Sequence, residues 1–209
     1  MIRCRITYQN TESLRYTGNL DMQKVWERTF RRAGLKLAYS QGFHPQPKMH
    51  QACPLPLGFT SENDLLDFWL DSDEDLADIG EKLSKTVQPG ITITEIQSIA
   101  PEEKPLQTLV ESAIYRVHVD NSISPDTIAT QVENLLKQES CIRTRRGKEY
   151  DLMPLVEVLT ITKLEPLHLE MRLSARPGAT GRPEEVLDAL GIDLSDTSIA
   201  RTGLLLAGR

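Results

Sequence analysis

The spacing of apolar residues in this chain switches between a period of two and a period of 3.6, in nearly the same order twice. That patterning demands strands alternating with amphipathic helices. Residues 3–8 alternate and read as a strand. Residues 20–33 carry Met22, Val25, Trp26, Thr29, Phe30 and Ala33 along one helical stripe, with Lys24, Arg28, Arg31 and Arg32 mostly off it. Asn19 or Asp21 can cap its start, and Gly34 suits the position just past its end. Segments 35–39, 49–53 and 65–70 read as strands. An acidic helix over 75–87 turns Leu76, Ile79 and Leu83 inward, and residues 91–99 alternate again. Segment 101–105, Pro-Glu-Glu-Lys-Pro, is the best boundary. Beyond it come a strand over 113–119 and a helix opened by Ser124 or Asp126, striped by Ile128, Val132, Leu135 and Leu136. Strands over 141–145, 155–161 and 167–173 follow, then a helix over 182–190 with Pro183 in its first turn, then a strand over 199–207. The expected architecture is α+β, two tandem ferredoxin-like β-α-β-β-α-β units with antiparallel sheets. The first spans 1–100, a linker 101–112, and the second 113–209. The two halves match in element order and not in sequence.

A chain of 209 residues can build such cores without disulfides or metal. Its 39% hydrophobic and 26% charged residues fit a globular chain rather than a disordered one. No apolar run approaches the ~20 residues that span a bilayer, and no secretory signal follows Met1, so a bacterial-type cytoplasm is the expected compartment. Cys4, Cys53 and Cys141 are too few and too scattered for a disulfide framework. The net charge of −6 argues against a basic nucleic-acid binder overall, but the charge is unevenly divided. Residues 1–50 hold nine Lys/Arg against three Asp/Glu, whereas 51–111 hold three against thirteen. Screening over about 8–10 Å lets a local basic surface act on its own.

Three motifs carry candidate chemistry. The loop Ser40-Gln41-Gly42-Phe43-His44-Pro45-Gln46-Pro47-Lys48 has too much proline for a regular element. Gly42 allows amides to converge on an anion, Phe43 and His44 can stack on a base, and Lys48 supplies charge, with Gln41 beside them. Its structural alternative is a rigid connector with Phe43 plugging the core. At the helix end, Arg28, Arg31 and Arg32 share neighbouring faces and match phosphate geometry, or simply complement the helix dipole. The cluster Arg143-Thr144-Arg145-Arg146-Gly147-Lys148 offers a second basic loop, or a solvated hairpin; as a strand it turns Arg143 and Arg145 to one face. Metal spacing is poor: His50 and Cys53 lack a second pair, and no cysteine pattern suits an iron–sulfur cluster, so no metal and no cofactor is expected. His118 and His168 sit in or near strands. No nucleophile motif occurs. A metal-free nuclease using His44 as acid–base, with Lys48 or Arg32 at the phosphate, needs only residues already present.

The runs Leu14-Arg15-Tyr16, Leu20-Asp21, Trp26-Glu27-Arg28, Arg31-Arg32-Ala33-Gly34, Ala38-Tyr39-Ser40-Gln41-Gly42-Phe43-His44-Pro45-Gln46-Pro47-Lys48 and Pro54-Leu55-Pro56-Leu57-Gly58, with Arg146 to Leu155 and Arg201-Thr202, resemble the radical-SAM-linked domain family. This bacterial domain of unknown function is fused to radical-SAM proteins or encoded beside them. His44 and Gln46 depart from the Asn and Arg that the family pattern leads one to expect there. The resemblance implies a radical-SAM protein as partner and transfers no activity. A looser, fold-level likeness is to tandem ferredoxin-like RNA proteins, the pseudouridine synthases and CRISPR repeat-RNA nucleases. The loop after the first helix lacks the Asp that a pseudouridine synthase needs. The expectation is therefore a non-catalytic tRNA- or rRNA-binding accessory domain that presents substrate to a radical-SAM enzyme. Its binding residues would be Arg28, Arg31, Arg32, Gln41, Gly42, Phe43, His44, Lys48, Arg143, Arg145, Arg146 and Lys148. The alternatives are a protein-docking module without nucleic acid and the His44 nuclease.

Overall fold

A computed structural model describes residues 1–120 and 124–208. The chain divides into two compact units, Met1–Leu109 and Val110–Arg209. Both are α+β, and their sheets pair antiparallel throughout.

The first unit runs β1 (Ile2–Asn10), α1 (Asn19–Arg32), β2 (Met49–Gln51), β3 (Thr60–Leu70), α2 (Leu76–Ser84), β4 (Ile91–Ile99) and α3 (Leu106–Leu109). Strand β1 is central: Ile6 faces Leu66 of β3 on one side and Ile96 of β4 on the other. The short β2 pairs with β3, Met49 opposite Phe68. Alternation sends Cys4, Ile6 and Tyr8 to the helix side, where α1 supplies Trp26 and Phe30 and α2 supplies Ile79 and Leu83. The rings lock together: Tyr8 meets Trp26 edge-on at 4.9 Å, and Phe30 stacks on Phe68 at 4.6 Å.

The end of α1 is dictated by Gly34, which takes φ 71° and closes a Schellman cap. Its N–H donates to Arg31 C=O, and Leu35 N–H donates to Phe30 C=O. The start differs from expectation. Gly18 occupies the cap position without any side-chain hydrogen bond, and Asn19 is already the first helical residue. Asp21 instead pairs with Lys24 at 3.3 Å. Segment 35–39 is no strand. It makes isolated bridges, Leu37 with Leu70 and Tyr39 with Pro47, because the adjoining prolines have no N–H to extend a ladder. Helix α2 is shorter than the 75–87 pattern, starting behind Asp75, whose carboxylate accepts from Ala77 N–H. The 101–112 segment is structured: α3 buries Leu106 and Leu109, and β5 begins directly after it.

The second unit runs β5 (Val110–Val119), α4 (Pro125–Leu136), β6 (Ile142–Arg145), β7 (Lys148–Asp151), β8 (Val156–Leu164), β9 (Leu167–Arg176), β10 (Ala179–Thr180), α5 (Pro183–Ala189) and β11 (Thr197–Leu206). Strand β5 lies between β11 and β9, while β8 and the short β10 both pair with β9. Helix α4 buries Ile128, Val132 and Leu135, but Leu136 at its end is exposed rather than part of the stripe. Strand β6 leaves the main sheet and forms a two-stranded ribbon with β7. Strand β7 (Lys-Glu-Tyr-Asp) has no apolar alternation, so sequence periodicity could not show it.

Candidate functional site

In the first unit the 40–48 loop is closed at its neck by backbone hydrogen bonds and one to the Ser40 hydroxyl. Ser40 N–H donates to Gln46 C=O at 2.8 Å, Gln46 N–H donates to Ser40 Oγ at 2.9 Å, and Lys48 N–H donates to Ala38 C=O at 2.8 Å. Trp69 N–H donates to Lys48 C=O, tying the neck to the end of β3. Gly42 takes φ 133°, a region closed to L side chains, so this loop path requires glycine. Residues 41–46 are all exposed. Phe43 is 102% exposed, so it does not plug the core. Its ring projects fully into solvent, beside an exposed His44. Nothing orients the His44 imidazole: among the described residues its side chain has no hydrogen-bond partner. Lys48 is half-buried. Arg28, Arg31 and Arg32, exposed at the end of α1, make no ion pair among the described residues.

In the second unit Arg146 and Gly147 form the two-residue turn of the β6–β7 ribbon, at φ 51° and 75°. Arg145 and Lys148 are register partners, as are Arg143 and Tyr150, so all four side chains leave one face. They part company there. Arg143 Nε lies 3.4 Å from Glu185, and its guanidinium also contacts Asp188, so α5 neutralises it. Tyr150 also hydrogen-bonds to Glu185; burial first, then that carboxylate, push its hydroxyl pKa up. Arg145, Arg146 and Lys148 make no ion pair among the described residues. With Tyr150, Leu155 and Ala179 they line a groove of about 620 Å³ between the ribbon and the β9–β10 turn. Asp151 also borders it, but its Oδ1 accepts from Cys141 and Met153 N–H groups, which hold the carboxyl below its usual range.

A charged cluster in the first unit escaped the sequence reading. Asp67 is fully buried and accepts from Arg3 and Arg5, at 2.6 Å and 2.7 Å for the closest bonds. Arg3 also donates to the Glu103 and Lys104 carbonyls and lies 5.1 Å from the Trp69 ring centre. The available signal was an Asp inside an apolar strand, opposite two arginines two residues apart. His50 sits opposite Asp67, its ring edge-on to Trp69 at 5.2 Å; burial lowers its pKa, partly offset by Asp67. Among the described residues no three His, Cys, Asp or Glu side chains gather into a metal-holding cluster, and no helix is long and apolar enough to cross a membrane.

These features define an α+β protein with antiparallel sheets and solvent-facing basic loops. Over residues 3–183 the chain matches the family described as "Uncharacterized protein conserved in bacteria (DUF2344)", and it belongs to that family. No curated protein matches it. Among solved structures, a chain of a Cbf5-Nop10-Gar1 complex is similar with a TM-score of 0.52 at 9% identity, over 96% of this chain and 48% of that one. This chain thus spans about half the length of that neighbour, and the likeness is one of fold. The acetolactate synthase small subunit from Thermotoga maritima is similar with a TM-score of 0.25 at 14% identity, over 100% of this chain and 98% of that one. A CRISPR-associated protein from Thermus thermophilus is similar with a TM-score of 0.22 at 18% identity, over 96% of this chain and 100% of that one.

Proposed function

We propose that this chain is a non-catalytic accessory protein that binds tRNA or rRNA in the cytoplasm and presents it to a radical-SAM enzyme. The observation that carries the RNA reading is Phe43. A fully exposed ring offers both faces to a base, and the loop's braced neck lowers the backbone ordering cost of binding. Base–aromatic stacking is worth about 1–3 kcal/mol per base. The unpaired Arg28, Arg31 and Arg32, with Lys48, supply phosphate contacts from the same unit. The radical-SAM partner rests on the sequence resemblance alone.

We also read each unit as ferredoxin-like. Support comes from the pairing order: β4-β1-β3 with β2 on β3 in the first, and β11-β5-β9 with β8 on β9 in the second, once the β6–β7 ribbon is set aside.

The test is a fluorescence-anisotropy titration of tRNA against the wild type and Phe43→Ala. The expected loss is about 5- to 160-fold, the equivalent of that stacking energy. No salt-sensitive binding by the wild type discards the reading. An exposed aromatic equally suits a protein partner's pocket, which keeps the docking module as the second reading. That module predicts a complex with the radical-SAM protein that is indifferent to Arg31→Ala and Arg32→Ala. The unoriented His44 lends the nuclease no support, since a general base needs a positioning partner.

A further inference from the structure

We propose that the groove between the β6–β7 ribbon and the β9–β10 turn holds one phosphorylated nucleoside, free or at the end of an RNA strand. This deepens the RNA reading and rests on it only for the choice of a nucleoside among organic phosphates. The groove, about 620 Å³, lies within the roughly 300–1,000 Å³ range of small-ligand sites.

Its charge is directional. Arg145 and Lys148 leave the ribbon on one face, with Arg146 at the turn between them, and none of the three has a carboxylate partner among the described residues. Arg143, on the same face, is already held by Glu185 and Asp188. Two carboxylates border the groove. Glu149 pairs in register with Thr144 and therefore leaves the opposite face of the ribbon. Asp151 is engaged by two backbone amides. Glu149 and Asp151, the register partners of Thr144 and Ile142, keep their negative charge on the other face of the ribbon, so the face of Arg145 and Lys148 is cationic and suited to phosphate.

The rest of the lining is the Tyr150 ring, Leu155, Gly178, Ala179 and Thr180, mostly apolar with one hydroxyl that can bond to a ribose or base. A free phosphate would use only the cations, and a nucleoside only the rest of the lining. A phosphorylated nucleoside uses both. Arg146 adds an independent sign. It sits at φ 51° in a turn position that Asn or Gly fills without strain, and such strain concentrates at ligand-binding sites.

The experiment is isothermal titration of the full chain at low salt with adenosine 5′-monophosphate, adenosine and inorganic phosphate. The monophosphate is expected to bind at least 10-fold tighter than either other probe. Arg145→Ala with Lys148→Ala should weaken it at least 10-fold. Arg146→Gly relieves the turn, so it should keep or raise the melting temperature while weakening the monophosphate, and it serves as the folded control if the double variant unfolds. No saturable binding of the monophosphate overturns the proposal, as does affinity unchanged in both variants. A 5′-phosphorylated trinucleotide that binds tighter than the monophosphate assigns the groove to an RNA end; equal affinity assigns it to free nucleotide. Monophosphate binding in a protein that ignores tRNA removes the RNA reading and leaves the groove standing.

Discussion

Asp67 shows how much one side chain can hold. Its carboxylate is fully buried, and two guanidiniums complete its hydrogen bonding. Asp67→Ala would strand two buried cations, and breaking a buried pair in this way costs about 3–5 kcal/mol. Urea unfolding should show that loss, with an unchanged slope. Cys4 lies on the opposite face of β1. Burial, and then the Asp67 charge, push its thiol up to about 11. In the unfolded chain the same thiol ionises near 9.0, so from there to about 11 the folded state binds the extra proton. Stability should therefore fall as pH rises through that window, by about 1.4 kcal/mol per pH unit from this group. Cys4→Ala should flatten the unfolding free energy between pH 9 and 11 relative to wild type. In a thiol-reagent assay at neutral pH the native protein should leave Cys4 unmodified, while the half-buried Cys53 and Cys141 react. Asp67 was visible in the sequence as an Asp among apolar residues. Its two partners were not, because strand register decides which charges meet.

Helix α1 was the most legible element, since its stripe, its basic face and its Gly34 terminus are all local features. Gly34→Ala should cost about 1–2 kcal/mol by forcing a side chain into the left-handed region, with nothing else nearby to clash. Thermal unfolding reads this directly. The 40–48 loop was legible as irregular, but not as a braced projection. Its neck depends on Ser40 Oγ accepting from Gln46 N–H. Ser40→Ala should loosen the apex and weaken the proposed RNA binding several-fold, while leaving the melting temperature within about 4 °C, as an exposed hydrogen bond of about 0.5–1 kcal/mol allows. The β6–β7 ribbon was half legible. Its basic residues and Gly147 were plain, but a strand of Lys-Glu-Tyr-Asp has no periodicity to read.

Across the whole molecule the net charge of −6 opposes binding to a polyanion, so the proposed RNA binding predicts an affinity that comes from local basic surfaces and falls with salt. The triple variant Arg31→Ala/Arg32→Ala/Lys48→Ala should make the slope of log affinity against log salt shallower by about 2 to 3, since each phosphate contact contributes roughly 0.7–0.9. Anisotropy titrations at three salt concentrations measure it. Local patterning determined the α+β class, the positions of α1, α2, α4 and α5, and the irregularity of the proline-rich loop, but not α3 in the expected linker. These follow from the short-range steric and hydrophobic periods of the backbone, which any window of the chain carries. Only the tertiary structure decided that Phe43 points to solvent, that α5 neutralises Arg143 while Arg145, Arg146 and Lys148 stay unpaired, and that Asp67 gathers Arg3 and Arg5. Each of these depends on which residues become neighbours across strands or helices far apart in the chain. Pairing register and packing set that proximity, and no local window contains it.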